Sequence, residues 1–375
     1  MNLLPFAAWV SIASILLGLA LLRQHSARLP VLPEDPGVPA DPATVCLCIP
    51  VRNEALEVGT ALDSWLAQDY PALHIVAVDD GSTDGSTELL RLREAAHPER
   101  LRVLRNDQLP PGWLGKNHAL HLAANEPEAL DATWLLFADA DVQAAPDLLR
   151  RALAFAEAQP TDVLALLPAV DALTVAERII LPLAASAFLV LVPPHQVPNP
   201  HHPAFCGVGA FTLVRRAAYE ATGGHGAAPL EAIDDMLLAR RLKAAGFVNR
   251  VAQGGPDLHL RMYHGLRELV RAMRKNAAAL PFWGLLPLFL PVMAMIGLAP
   301  LWLPFAGFPG TALILWLLVP ALAGDSQQKL TGHPMDLLWA LWPLASLVMV
   351  AGTAWAFADR LRGVNHWRGR EVSLR

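Results

Sequence analysis

Charge is scarce in this sequence. Only 17% of its 375 residues are Asp, Glu, Lys or Arg, against a hydrophobic share of 54% and a mean hydropathy of +0.36. That balance is too oily for an ordinary soluble enzyme. The net charge of −5, with no basic stripe, leaves nothing suited to nucleic acid. Cysteine is scarce as well: Cys46, Cys48 and Cys206 are the three in the chain, a number that suits a reducing compartment. Cys46 and Cys48 stand two apart in an extended stretch, so both thiols face one side. No other Cys or His pair lies nearby to complete a metal site. Internal repeats and low-complexity tracts are also missing.

The oil is unevenly spread. Residues 5–22 are apolar, residues 281–324 almost unbroken, and residues 337–358 apolar again, while 40–275 has an ordinary globular mixture. This distribution predicts a membrane protein with a soluble domain between its anchors. The first run is long and lacks a basic leader, which favours an uncleaved anchor over 1–23 against a cleavable signal peptide. Arg23 and Arg28 behind it place the downstream side in the cytoplasm. Residues 24–43 read as a Pro- and Asp-rich linker, 44–260 as the globular domain and 261–280 as a basic interfacial segment. Residues 281–358 form the C-terminal membrane region and 359–375 a basic tail. Pro281, Pro287, Pro291, Pro300 and Pro304 are poor material for a straight helix. A re-entrant or kinked segment over 281–304 followed by two spans keeps the arginine-rich tail cytoplasmic. The expected localisation is thus an integral membrane protein of a bacterial inner membrane, its domain on the cytoplasmic side.

Within the domain, strands are expected at 44–49, 74–78, 101–105 and 134–138, with helices between them. That alternation predicts an α/β fold with a mostly parallel, Rossmann-like sheet. The segment HIVAVDDGSTD (residues 74–84) runs a buried strand into Asp79-Asp80-Gly81. Carboxylates at that end of a core strand suit a ligand crevice, although a plain strand–turn–helix junction reads the same way locally. Gly81 permits the tight turn and Asp84 can cap the next helix. A second strand ends in Asp139-Ala140-Asp141, whose carboxylates project to one side of an extended chain. That spacing suits a divalent cation shared with phosphate oxygens, and equally a pair of solvated acids. The two motifs together, each closing a buried strand, point to a shared nucleotide–metal site.

The ordered set IPVRNE (49–54), VDDGSTDGS (78–86), GK-x-x-AL (115–120), FADAD (137–141), GVGAFTLVRRAAYEATGGH (207–225) and IDDMLLARRLKAAG (233–246) resembles the family 2 glycosyltransferases of GT-A fold. The likeness extends over roughly residues 44–280. The PPGWLGK loop (110–116) and the flanking apolar segments are more like the hopanoid-associated and carotenoid branch, with ceramide glucosyltransferases similar in layout. The resemblance implies a nucleotide-diphosphate sugar donor, a UDP-sugar in first place. Pro50, Arg52, Glu54 and Asp80 would surround its base and ribose, and Lys116 would approach the base or diphosphate. Asp139 would meet the ribose or metal, and Asp141 would ligate Mg²⁺ or Mn²⁺. Asp235 would be the catalytic base, with Asp234 the next candidate.

Residue patterns agree in part. Leu237, Leu238 and Leu242 lie near helical spacing, which puts Asp234-Asp235 in a first helical turn, where acids are also favoured by the dipole alone. Gly207 and Gly209 supply backbone that can approach an acceptor closely. His225 reads as an acceptor contact or a structural loop histidine. Arg267, Arg271, Arg274 and Lys275 fall largely on one helix face, as at a membrane edge facing anionic headgroups or near the diphosphate. The processive members' Q/R-x-x-R-W motif is not matched by Arg271–Lys275, which lacks the tryptophan. The expected activity is inverting, metal-dependent transfer of one sugar to a hopanoid-, carotenoid- or sphingolipid-like alcohol at the cytoplasmic leaflet. A polysaccharide synthase and a non-catalytic nucleotide-sugar-binding scaffold are the alternatives.

Overall fold

A computed structural model describes residues 3–278, 286–331, 337–362, 366–367 and 370–371. The chain divides into two compact units, one of Arg28–Val170 and Val192–Arg261, the other of Met1–Ala27, Asp171–Leu191 and Met262–Arg375. Against the expectation of one domain over 44–260, residues 171–191 thus group with the two ends of the chain.

After helix α1 (Leu4–Ala27), the α/β unit begins with β1 (Val45–Val51), α2 (Val58–Leu66), β2 (Leu73–Asp79), α3 (Ser86–Ala96) and β3 (Leu101–Arg105). It continues through α4 (Gly115–Ala123), α5 (Pro127–Leu130), β4 (Trp134–Phe137), β5 (Val142–Ala144), α6 (Leu148–Glu157) and β6 (Val163–Val170). Helix α7 (Val175–Leu191) interrupts it. The unit resumes with β7 (Thr212–Arg215), α8 (Arg216–Ala221), α9 (Asp234–Ala244) and β8 (Asn249–Leu260).

The eight strands order as β3-β2-β1-β4-β7-β6-β8-β5. β3, β2, β1 and β4 pair in parallel, as the sequence pattern led one to expect. The far half departs from it: β7 pairs antiparallel with both β4 and β6, and β5 antiparallel with β8, while β6 and β8 are parallel. The sheet is therefore mixed.

β1 shows why the layers form. It is hydrogen-bonded on both edges and buried on both faces, so it reads as a nearly continuous apolar run. Val45, Leu47, Ile49 and Val51 pack with Leu62 and Trp65 of α2 and Leu149 of α6. Cys46 and Cys48 point the other way, among Leu120 and Ala123 of α4 and Leu238 of α9. Helices thus cover both faces, and both thiols share one face as their spacing requires. Each fully buried Leu or Ile of such a core contributes on the order of 2 kcal/mol. Strand order reverses beside β1, whose neighbours are β2 and β4. The crevice outside the carboxyl ends of strands at such a point is where open α/β sheets bind ligands.

The second unit contains α1, α7, α10 (Leu266–Ala278), α11 (Leu286–Gly297), α12 (Ala299–Trp302), α13 (Pro309–Thr331) and α14 (Trp342–Leu361). Ala8 and Ile12 of α1 pack with Ala312 and Leu315 of α13 and with Ala299, and Trp9 sets its edge on Phe308 at 5.9 Å. Among the described residues, four stretches are long and apolar enough to cross a membrane: Leu4–Ala27, Val175–Gln196, Pro309–Gln328 and Leu337–Asp359. The second of these had not been expected. Phe289–Gly297 and Ala299–Ala306 form a pair bent by 66°, the geometry of a broken span or re-entrant loop. The first part of the expected 281–304 segment, residues 281–285, and most of the basic tail lie outside the described residues.

Candidate functional site

The site is built at the carboxyl ends of β1, β2 and β4. Beyond Pro50 and Val51 the chain turns through Asn53, whose φ of 54° is left-handed. The Asn53 side-chain carbonyl accepts from the Thr83 amide at 2.8 Å, and its own amide donates to Ser82 Oγ at 3.0 Å. The Glu54 amide donates to Ser86 Oγ at 2.9 Å. In this way the loop after β1 is knitted to the DGSTD turn after β2.

The two acids of that turn separate. Asp80 is held at the crevice: its Oδ2 accepts from Arg52 Nη1 at 2.9 Å, and its Oδ1 from Asn106 Nδ2 at 2.8 Å. Asp79 is fully buried and spent internally, accepting from the Ser82 amide, the Thr87 hydroxyl and Arg105. Only one of the two carboxylates expected at the crevice is therefore available, because neighbouring residues of an extended strand point to opposite faces. Asp84 binds the Ser86 amide and hydroxyl and the Ala55 amide, while the cap position itself is Gly85, at φ 97°.

Across the crevice, Lys116 in the first turn of α4 joins two motifs far apart in sequence. Its Nζ lies 2.8 Å from Asp139 Oδ1 and 3.3 Å from Asp234 Oδ1. Burial alone would push this ammonium down, but the carboxylates of Asp139, Asp234 and Asp235 outweigh it and hold the group above its ordinary range. Asp141 behaves in the opposite way. Removal from water, then the charges of Asp139 and Glu54, push its carboxyl up to about 7. Crowded acids of this kind are the arrangement that a divalent cation relieves. Among the described residues no group of three or more His, Cys, Asp or Glu is placed to hold a metal ion. The residues fit Mg²⁺ or Mn²⁺ bound through one or two carboxylates, with donor phosphates and water completing the shell.

Asp234 and Asp235 open α9 as expected. Asp234 is buried, and Asp235 Oδ1 accepts from the Met236 amide at 2.8 Å. Desolvation and then the neighbouring Asp234 push the Asp235 carboxyl up to about 6. A cleft takes in Pro50, Lys116, Asp139, Gly209, His225 and the Asp234–Asp235 pair. Gly207 and Gly209 prove tightly constrained. A Cβ on Gly207 would lie 2.1 Å from the carbonyl oxygen of Asp235, and one on Gly209 would lie 2.5 Å from Asp139 Oδ2.

His225 is 2% exposed. Its amide donates to the Tyr219 hydroxyl at 3.1 Å, and its Nδ1 shares a 2.9 Å hydrogen bond with the same hydroxyl. Burial, then Lys116 and Arg241, push the imidazole down to about 3, so the ring that lines the cleft is neutral. Arg271 and Arg274 belong to α10 of the other unit. Arg271 is exposed, and the Arg274 side chain lies outside the described residues.

Three supporting residues escaped the sequence reading. Asn106 fixes Asp80, Tyr219 fixes His225, and Asn117 reaches the carbonyls of Ala228, Pro229 and Glu231, which anchors the loop before Asp234. For Asn106 the signal was its place just past the third strand. The other two carry none without the fold.

Residues 46–223 match the family described as glycosyl transferase family 2. No curated protein matches the chain in sequence. Among solved structures, the mannosyltransferase PcManGT from Pyrobaculum calidifontis in complex with GDP-Man and Mn²⁺ is 20% identical, with a TM-score of 0.59. The alignment covers 95% of this chain and 99% of that one. S. aureus TarS 1–349 in complex with UDP-GlcNAc is 17% identical over 88% of this chain and 95% of that one, with a TM-score of 0.41. Glucosyl-3-phosphoglycerate synthase from Mycobacterium tuberculosis in complex with phosphoglyceric acid is 19% identical over 69% and 87%, again at 0.41. The first shows a shared fold; the other two are too distant in shape to carry an argument.

Proposed function

From the premise that the chain carries a family 2 glycosyl transferase domain, we propose that it transfers one sugar, with inversion, from a nucleotide-diphosphate sugar to the hydroxyl of a membrane lipid. The observation that carries this reading is the opposition, across one cleft, of an acid raised to about 6 and a cationic Lys116 bound to Asp139.

Asp235 is the base. With its carboxyl near 6 it is mostly ionised at neutral pH yet still basic enough to take a proton from an attacking hydroxyl. Asp234, tied to Lys116, is a positioning group beside it. Lys116 stays charged and offers its ammonium to the diphosphate. Arg52 and Asp80, locked together, and Glu54 beside them form the base and ribose side of the donor site. Asp141 and Asp139 would hold the divalent cation, which when bound supplies Lewis-acid neutralisation of charge on the leaving diphosphate. Attack from the side opposite that diphosphate turns an α-linked donor into a β-glycoside.

The apolar helices of the second unit support a lipid acceptor, one whose hydroxyl lies at headgroup level and whose body stays among hydrocarbon. A hopanoid, carotenoid or sphingolipid-like alcohol fits that description, with the cytoplasmic leaflet as the place of reaction. The test gives detergent-purified protein a labelled donor, UDP-sugars first and GDP-mannose beside them, together with total lipid extract. Label should enter the organic phase as one discrete species. A water-soluble ladder of increasing length would instead establish a polymer synthase, and no transfer or donor hydrolysis with Mn²⁺ would leave only a binding scaffold.

A further inference from the structure

Helix α7 is apolar enough to cross a bilayer but is connected in a way that forbids it. Its preceding strand, β6, ends at Val170 in the α/β unit, and the chain re-enters that same unit at Val192. The return is firm: the Lys243 ammonium donates to the Val197 carbonyl at 2.8 Å, and the Asn249 side chain pairs with both the amide and the carbonyl of Cys206. A folded unit occupies one side of a membrane. A single crossing by α7 would place its two flanks on opposite sides. The uncharged run is also short, covering residues 179–194 between Arg178 and His195. Its helical part, residues 179–191, reaches roughly 20 Å at about 1.5 Å per residue, less than the hydrocarbon thickness of about 30 Å.

Packing within the helical unit agrees. α1 and α13 run in the same direction, their starts joined through Ala8, Ile12 and Trp9 to Ala312, Leu315 and Phe308. α7 meets both of them near their last turns. His25 Nδ1 shares a 2.8 Å hydrogen bond with the Leu189 carbonyl, and Gln327 Nε2 donates to the Pro182 carbonyl at 2.6 Å and to Ser186 Oγ. These points lie three to seven residues apart along α7, about 5–10 Å, close to the spacing of two packed helices. α7 is thus tied to the ends of both α1 and α13, as a helix lying across them would be.

Its first turn carries a further tie. Glu177, fully buried, accepts from the amides of Leu173 and Thr174 at 2.8 and 3.1 Å and from that of Gly265 at 2.5 Å. Gly265 leads directly into α10, where Arg267 and Arg271 are exposed. One carboxylate thus fixes the start of an apolar helix against the start of a basic amphipathic one.

We propose that α7 lies parallel to the plane of an anionic phospholipid bilayer, at the headgroup–acyl boundary of one leaflet, with α10 offering its arginines to the headgroups. Helices held at that boundary sit about 5–10 Å into it. α1, α13 and α14 then remain as crossings, joined by the bent pair Phe289–Gly297 and Ala299–Ala306, which the shared direction of α1 and α13 requires to cross as well, and α7 is a surface contact. This inference rests on the membrane reading above, and the test separates the two.

The full chain is reconstituted into phosphatidylcholine–phosphatidylglycerol liposomes with single cysteines introduced as Val175→Cys, Leu183→Cys, Ala187→Cys and Leu191→Cys. Each is spin-labelled, and depth is read from collision with oxygen and with a water-soluble nickel chelate. The native cysteines are all fully buried. Binding of labelled donor confirms folding. A shallow depth at all four sites, with no trend along the helix, is expected. Depth rising to a maximum near Leu183 and Ala187 and falling again toward Leu191 would show a crossing and overturn the proposal. Low access to both reagents at every site would place α7 inside protein, which overturns it as well. A chain that fails to float with the liposomes refutes the membrane reading itself.

Discussion

Gly207→Ala isolates the base from the rest of the site. The added methyl would lie 2.1 Å from the Asp235 carbonyl oxygen and 2.6 Å from its carbonyl carbon. Both are backbone atoms, so no rotamer change relieves the clash. Restoring an ordinary contact of about 3.4 Å requires the start of α9 or the strand-side loop to move by roughly 1 Å. Overpacking of this kind costs about 1–3 kcal/mol of stability. A misplacement of about 1 Å at a reacting group costs about 10²-fold in rate. The kcat should therefore fall by about two orders of magnitude while donor affinity changes little, because Asp80 and Asp141 lie outside the clash and Asp139 still holds Lys116. Gly209→Ala is the counterpart. Its methyl meets Asp139 Oδ2 at 2.5 Å, the far end of a side chain that can rotate away. Rotation breaks the 2.8 Å contact with Lys116, so donor binding should weaken with a smaller loss of kcat. Calorimetric titration of donor and single-turnover transfer measure the two halves separately. A folded Gly207→Ala variant with wild-type kcat would refute the assignment of Asp235 as base.

Asp235→Asn should lower turnover by about 10²-fold or more with near-normal donor binding. In the wild type, kcat/KM should drop as pH falls through about 6, since protonation of a carboxyl raised to that value removes the base; a flat profile down to pH 5 would exclude it. Asp141→Ala should abolish the dependence of donor binding on Mg²⁺ or Mn²⁺, which one remaining carboxylate holds poorly against hydration; equal affinity with and without EDTA in the wild type would contradict the metal assignment. Tyr219→Phe removes the hydroxyl that serves both the His225 amide and its ring, so the melting temperature should fall by an amount worth about 1–2 kcal/mol; an unchanged melt would show that the pair holds nothing.

The parallel half of the sheet was legible because its strands are continuous apolar runs closed by acids, glycine or proline. The antiparallel half was not. β5 and β7 have three and four residues, too few for a periodicity, and β8 contains Gly254-Gly255-Pro256 at the irregular register opposite Pro168. The acids of the site could be named from their motifs, but their partners could not. Lys116, Asp139 and Asp234 meet only because α4, β4 and α9 converge at one end of the sheet. Alternation along β2 could have shown that Asp79 and Asp80 face opposite ways. α7 was hidden by its length, since a short apolar run flanked by strands looks like core until its neighbours are known.

Mass spectrometry of lipid extracts from cells with and without the gene decides whether one sugar is placed on one lipid. Cells carrying the gene should contain a lipid heavier than its parent alcohol by a single sugar. That species should vanish, with the parent accumulating, both on deletion and when Asp235→Asn replaces the wild type. An unchanged lipid profile accompanied by loss of a surface polymer would show that the product is a polymer and not a monoglycosylated lipid.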